Sequence, residues 1–86
     1  MSSKSDIGPK RRVHSSTGDN PVLLALGDRF RAARGAAGLT QDELAMAAGV
    51  GRELIIRLEN GKPGVALNHV ARVAAALGLR LELTPR

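Results

Sequence analysis

From Val22 onward the apolar positions Leu23, Leu26, Phe30, Ala33 and Ala37 recur at steps of three and four. Such spacing lays them on one helical face, and Pro21 and Gly38 bracket the segment, so a first helix is predicted from Val22 to about Ala37. Thr40 precedes Glu43 by three residues, the spacing of a capping box, which starts a second helix at Gln41; Gly49 ends it. A third helix opens at Gly51 or Arg52 and runs to Glu59 or Asn60, where Gly61, Pro63 and Gly64 form a cluster that cannot continue it. Leu67, Val70, Ala71, Ala74 and Leu77 set a fourth apolar stripe, closed by Gly78.

The period then changes. Leu79, Leu81 and Leu83 alternate with Arg80, Glu82 and Thr84, as in a strand with one apolar face, and no second strand is predicted elsewhere in the chain. A lone strand leaves backbone groups unpaired and an apolar face uncovered. Pairing with the same strand of a second copy across a two-fold axis is the simplest remedy, which makes Leu79, Leu81 and Leu83 candidate dimerisation residues. The competing reading is a frayed, partly helical C-terminus packed on its own domain.

The second and third helices belong together. Gln41 to Asn60 reads as helix, glycine turn and helix, with apolar side chains at Leu44, Ala45, Ala48, Val50, Ile55 and Leu58. Two short helices crossing steeply need a small residue at their closest approach and a glycine where the chain reverses; Ala45 and Gly49 supply these. This is a helix-turn-helix pattern, in which the second helix is presented outward to enter a DNA major groove.

Composition narrows the picture. A chain of 86 residues allows one small domain that buries about 60% of its unfolded surface, so self-association would help its stability. With no cysteine, disulfides and thiolate zinc sites are excluded, and Phe30 is the one aromatic residue. Thirteen Lys and Arg against eight Asp and Glu give a net charge of +5, which favours a polyanionic partner. No apolar run is long enough for a membrane span, and the N-terminus lacks the apolar core of a signal peptide, so a cytoplasmic location is expected. Residues 1–21 are polar and carry Lys10, Arg11 and Arg12 in a row; they are read as a flexible basic arm, 22–78 as the helical domain and 79–86 as the dimerisation strand.

Leu39-Thr40-Gln41, the Leu44-Ala45 pair, Gly49-Val50 and Glu59-Asn60-Gly61-Lys62 resemble the Xre/Cro-type helix-turn-helix family, over about Leu26 to Gly78. The resemblance implies an all-α, lambda-repressor-like domain of four to five helices. The short link Lys62-Pro63-Gly64-Val65, followed by a helix and then Leu79-Arg80-Leu81-Glu82-Leu83, is more narrowly similar to HipB-like antitoxins. In that case the resemblance implies a C-terminal strand paired across a homodimer and a HipA-like kinase toxin as partner. Two positions depart from the family pattern: Gly51 and Ile56 stand where a polar residue is common. Gly51 is a weaker N-cap by only a few tenths of a kcal/mol, but it removes one phosphate-contacting hydroxyl. Ile56 either meets a thymine methyl or is a stray exposed apolar residue.

Among the candidate DNA contacts, Thr40 and Gln41 flank the start of the second helix, where the Gln41 side chain and the free backbone N–H groups can meet a phosphate oxygen. Arg52, Glu53 and Arg57 lie away from the Ile55–Leu58 stripe and match the base-facing positions of related repressors. Arginine can donate twice to guanine and a carboxylate can accept from cytosine, so Arg52 and Glu53 suggest a half-site containing G·C. Glu53 and Arg57, four residues apart, can alternatively form a plain surface ion pair. Lys62 is a candidate phosphate clamp. Arg34 and Glu59 match a pair that in this family ties the first helix to the end of the third, and are assigned to structure. His69 is read as a surface residue.

No catalytic constellation, phosphate-binding glycine loop or metal set is found, so the chain is not expected to be an enzyme, to carry a cofactor or to take a small-molecule substrate. The resemblance implies a homodimeric repressor on a palindromic double-stranded operator, with half-sites one turn, ~34–36 Å, or a multiple of it apart, acting as the antitoxin of a kinase toxin and regulating its own operon. A stand-alone regulator is the alternative, as is an interaction module that neutralises a kinase-like toxin with DNA binding secondary.

Overall fold

Asn20 starts the first helix in this computed structural model, which describes residues 20–85. Its side-chain oxygen accepts the N–H of Val22 at 2.9 Å and of Leu23 at 3.4 Å. Pro21 follows at the first helical position, where a missing N–H costs nothing, so α1 spans Pro21–Ala36. Pro21 therefore belongs to the helix and not to the arm. Residues 1–19, with Lys10, Arg11 and Arg12, lie outside the described residues.

Helix α2 spans Gln41–Ala48, α3 Arg52–Glu59 and α4 Leu67–Ala76. The capping box is formed in both directions: Glu43 N–H donates to Thr40 Oγ1 at 3.0 Å, and Thr40 N–H to Glu43 Oε1 at 2.8 Å. Gly49 closes α2 with φ of 71°, a left-handed conformation that a side chain would strain. Its N–H then bonds back to Met46, and that of Val50 to Ala45, which reverses the chain into α3.

Helix α3 packs between α1 and α2, and α4 covers the other side of α2. Phe30, Leu44, Ala45, Ala48, Ile55, Leu58, Val70, Val73 and Ala74 form the core. In α4 the buried stripe differs from the sequence expectation: Val73 is fully buried, whereas Ala71 is exposed and Leu67 is 75% exposed. The cause is that this helix carries Leu, Val or Ala at seven of its ten positions, all but Asn68, His69 and Arg72; two stripes one position apart are then similarly apolar, and packing against α2 selects Val70, Val73, Ala74 and Leu77. Ala37 likewise lies past the end of α1, exposed, as its C-cap.

Beyond Gly78 the described residues form neither helix nor strand. Leu79 N–H donates to Ala74 O at 2.8 Å, after which Leu81 is 44% and Leu83 fully exposed. Leu79 and Leu81 are thus partly covered, and Leu83 is left open among the described residues.

Candidate nucleic-acid interface

The outward face of α3 is held in place by a charge buried beneath it. Glu59 ends α3 with its side chain 1% exposed. Arg34 of α1 donates from Nε to Glu59 Oε2 at 2.6 Å and from Nη2 to Oε1 at 3.1 Å, and Gln41 Nε2 donates to Oε1 at 3.1 Å. Arg31 Nε lies 3.7 Å from the same oxygen. Burial pushes the Glu59 carboxyl up, but the hydrogen bonds from Arg34 and Gln41 and the charges of Arg34 and Arg31 outweigh it, leaving it below the ordinary carboxylate value. The Arg34 guanidinium is pushed up by its bond to Glu59, against the opposing effect of burial. One carboxylate thus joins α1, the start of α2 and the end of α3. Arg34 Nη1 also donates to Leu39 O at 2.9 Å, fixing the approach to Thr40.

Gly27 lets α1 and α3 meet this closely. A Cβ there would sit 2.6 Å from the carbonyl oxygens of both Leu58 and Glu59. On the far side of the turn, Arg72 Nη1 of α4 donates to Gly49 O at 3.2 Å. Apolar periodicity gives no signal for either feature, because one depends on backbone proximity and the other on a carbonyl partner.

With α3 fixed, Ile55 and Leu58 point inward and Arg52, Glu53 and Arg57 lie exposed. Arg52 Nε stands 3.3 Å from Asp42 Oδ1, and its two terminal nitrogens have no hydrogen-bond partner among the described residues; this pair bridges the starts of α2 and α3. Glu53 has no ion-pair partner among the described residues. The alternative Glu53–Arg57 pair is not formed, because Arg57 Nη2 instead donates to Pro63 O at 2.8 Å. Lys62 is exposed just past α3, and Gly51 is exposed without a side-chain cap. Ile56 is half-buried, with part of its side chain open to solvent. The Gln41 side chain, expected to face a phosphate, is instead half-buried on Glu59, which leaves its backbone N–H and that of Asp42 at the start of α2 without an intrahelical acceptor. Thr40 Oγ1 accepts the Glu43 N–H and keeps its own proton to donate. His69 is half-buried on α4, apart from this face.

These groups offer hydrogen-bond donors and one free carboxylate along the exposed face of a short helix and its flanks, the means by which base edges and phosphates are read. Among the described residues no group of three or more His, Cys, Asp or Glu could hold a metal ion, and no helix is long and apolar enough to cross a membrane.

Comparison with known proteins gives the same picture. A family model for the helix-turn-helix domain matches residues 25–86. An uncharacterized HTH-type transcriptional regulator of Sinorhizobium fredii is 40% identical over 58 residues, 67% of this chain and 76% of that protein. Among solved structures, the restriction-modification controller protein C.AhdI from Aeromonas hydrophila superposes with a TM-score of 0.66 at 33% identity, over 71% of this chain and 92% of its own. A chain of the HipA–HipB–O2–O3 complex superposes with a TM-score of 0.67 over 88% of this chain and 97% of its own, at 22% identity, a likeness of fold. With its helix pair, its capped turn and these relatives, the chain belongs to the Xre/Cro-type helix-turn-helix family of DNA-binding transcriptional regulators.

Proposed function

We propose that the chain is a homodimeric repressor that places α3 of each subunit in one half of a palindromic operator and serves as the antitoxin of a HipA-like kinase toxin, regulating its own operon. The observation that carries the DNA part is the division of α3: Ile55 and Leu58 are buried, while Arg52 and Glu53 stand exposed beside the start of α2. In this reading Arg52 donates to guanine, Glu53 accepts from cytosine, Ile56 lines a thymine methyl, and Lys62 with the Thr40 hydroxyl and the N–H groups of Gln41 and Gly51 meet phosphates. Arg34 and Glu59 keep those groups in register without touching DNA.

Dimerisation is supported by the C-terminal segment, where Leu79, Leu81 and Leu83 are 40%, 44% and 101% exposed on alternate positions. Strand pairing across a two-fold axis satisfies both their apolar faces and the segment's backbone. The antitoxin role is supported by the same tail and by the likeness of fold to a chain of the HipA–HipB–O2–O3 complex. A stand-alone regulator is the second reading, favoured by the 33% identity to a restriction-modification controller.

Two experiments separate these. Light scattering on a chain truncated after Gly78 should show a monomer where the full chain is a dimer; a truncated chain that remains a tight dimer removes strand pairing. Co-expression with the products of the adjacent reading frames should yield a stable complex with a kinase-like protein. Absence of such a neighbour leaves the stand-alone regulator.

A further inference from the structure

The two arginines of α3 are engaged in different ways. Arg52 is held through Nε and leaves its terminal nitrogens open, whereas Arg57 spends a terminal nitrogen on its own chain: Nη2 donates to Pro63 O at 2.8 Å. The Arg57 carbonyl meanwhile accepts the Lys62 N–H at 3.0 Å. Arg57 therefore grips the link between α3 and α4 at two consecutive residues, once through the backbone and once through the guanidinium.

The rest of the link has few other restraints. Gly61 is buried against Leu24, which anchors one end, and Val65 packs against the core at the other. Between them Lys62, Pro63 and Gly64 are exposed, and the guanidinium lies 3.5 Å from where a Gly64 Cβ would be. Among the described residues, the Arg57 side chain makes the one side-chain hydrogen bond to this stretch.

We propose that Arg57 is a positioning residue: it does not read a base but fixes the α3–α4 link so that Lys62 is presented to a DNA phosphate. The inference rests on the DNA-binding reading above and changes the role of one residue within it. A hydrogen bond from a charged donor to a carbonyl stabilises more than a neutral one, and here it adds to the Lys62 N–H bond that ties the same link to α3. A guanidinium that left Pro63 to reach a base would release that link and the phosphate contact at once.

The test uses the full chain and a duplex selected by the protein from a random-sequence pool, with every single-base variant of that duplex. Arg57→Ala should weaken binding by the same factor on all of these duplexes and lower the salt dependence by about one phosphate per subunit. Combined with Lys62→Ala it should cause no further loss. Arg57→Lys keeps a charged donor but not the fork needed for guanine, and should keep the base preference of the native chain. Without DNA, Arg57→Ala should speed hydrogen exchange at the Lys62 amide by about fivefold or more.

Relaxed preference at one base pair with unchanged Lys62 exchange makes Arg57 a base reader and overturns the proposal. Additive losses for Arg57→Ala and Lys62→Ala make it an independent phosphate contact and overturn it equally. If the native chain selects no duplex, the DNA-binding reading fails, and the exchange measurement alone decides whether Arg57 holds the link.

Discussion

Replacing Glu59 by glutamine keeps the size of the side chain and removes its charge, which isolates what the carboxylate contributes. In the native chain it takes two hydrogen bonds from Arg34 and one from Gln41, with Arg31 Nε at 3.7 Å. The amide of Glu59→Gln can accept through one oxygen only, and its NH2 group faces donors. Arg34, whose side chain is 18% exposed, then keeps its charge without a counter-ion. Breaking a buried pair from one side costs ~3–5 kcal/mol. Solvent reaches part of Arg34 and screens it, which places the cost at the lower end, about 3 kcal/mol. A domain of this size loses roughly 4–8 °C in melting temperature per kcal/mol, so a fall of roughly 12–24 °C is expected. Thermal unfolding followed by circular dichroism at neutral pH measures it directly. The Arg34→Met, Glu59→Gln double variant, which removes both charges, should melt above the single variant, because the stranded guanidinium is gone. An unchanged melting temperature in Glu59→Gln refutes the claim that this carboxylate joins three helices.

The remaining expectations follow from the same contacts. Because the Glu59 carboxyl lies below its ordinary value of 4.5 in the fold, the unfolded chain binds its proton first as pH falls. Its contribution to stability is full above that ordinary value and is lost as pH drops through the folded one, so melting curves of the native chain and of Glu59→Gln should converge in acid; a constant gap across that range contradicts the pairing. Gly27→Ala should lower the urea midpoint by an amount equivalent to about 1–3 kcal/mol or more, despite alanine's better helix propensity, since its Cβ would meet two carbonyl oxygens at 2.6 Å. A stabilised Gly27→Ala would show that α1 and α3 are not in backbone contact. Thr40→Ala should cost about 0.5–2 kcal/mol by removing the acceptor of the Glu43 N–H, read from the same urea curves; no loss would mean that the capping box does not hold the start of α2.

Much of this was legible in the order of residues because it is written in local chemistry. The Thr40–Glu43 spacing locates the start of α2 to the residue, Gly49 its end, and Leu44, Ala45, Ala48, Ile55 and Leu58 the inner face of the helix pair. Periodicity loses its power where a helix is apolar on several sides. In α4 that ambiguity hides Val73 and promotes Ala71, and only packing against α2 resolves it. Backbone proximity is equally silent in sequence, since Gly27 reads as a weak spot in α1 until α3 is seen against it. At the interface, exposure of Arg52, Glu53 and Arg57 follows from helical phase, but their partners do not. Carbonyl oxygens are present at every residue, so nothing marks Pro63 as the acceptor for Arg57. The tail is the opposite case: its alternating leucines are plain in the sequence, and the described residues there form neither helix nor strand.

DNA binding by α3 is tested most directly by fluorescence anisotropy of the full chain on its selected duplex, with and without Arg52→Ala, across a salt series. The logarithm of the native chain's affinity should fall linearly with the logarithm of salt concentration, a loss of about 10³–10⁵ between about 50 and 200 mM if a dimer makes six to ten phosphate contacts. Arg52→Ala should cost ~1–3 kcal/mol and relax the preference at one G·C pair in each half-site while leaving the salt slope unchanged. A native isotherm that does not change with salt, or an Arg52→Ala chain that binds and discriminates as the native one does, would contradict the assignment of α3 as the reading helix.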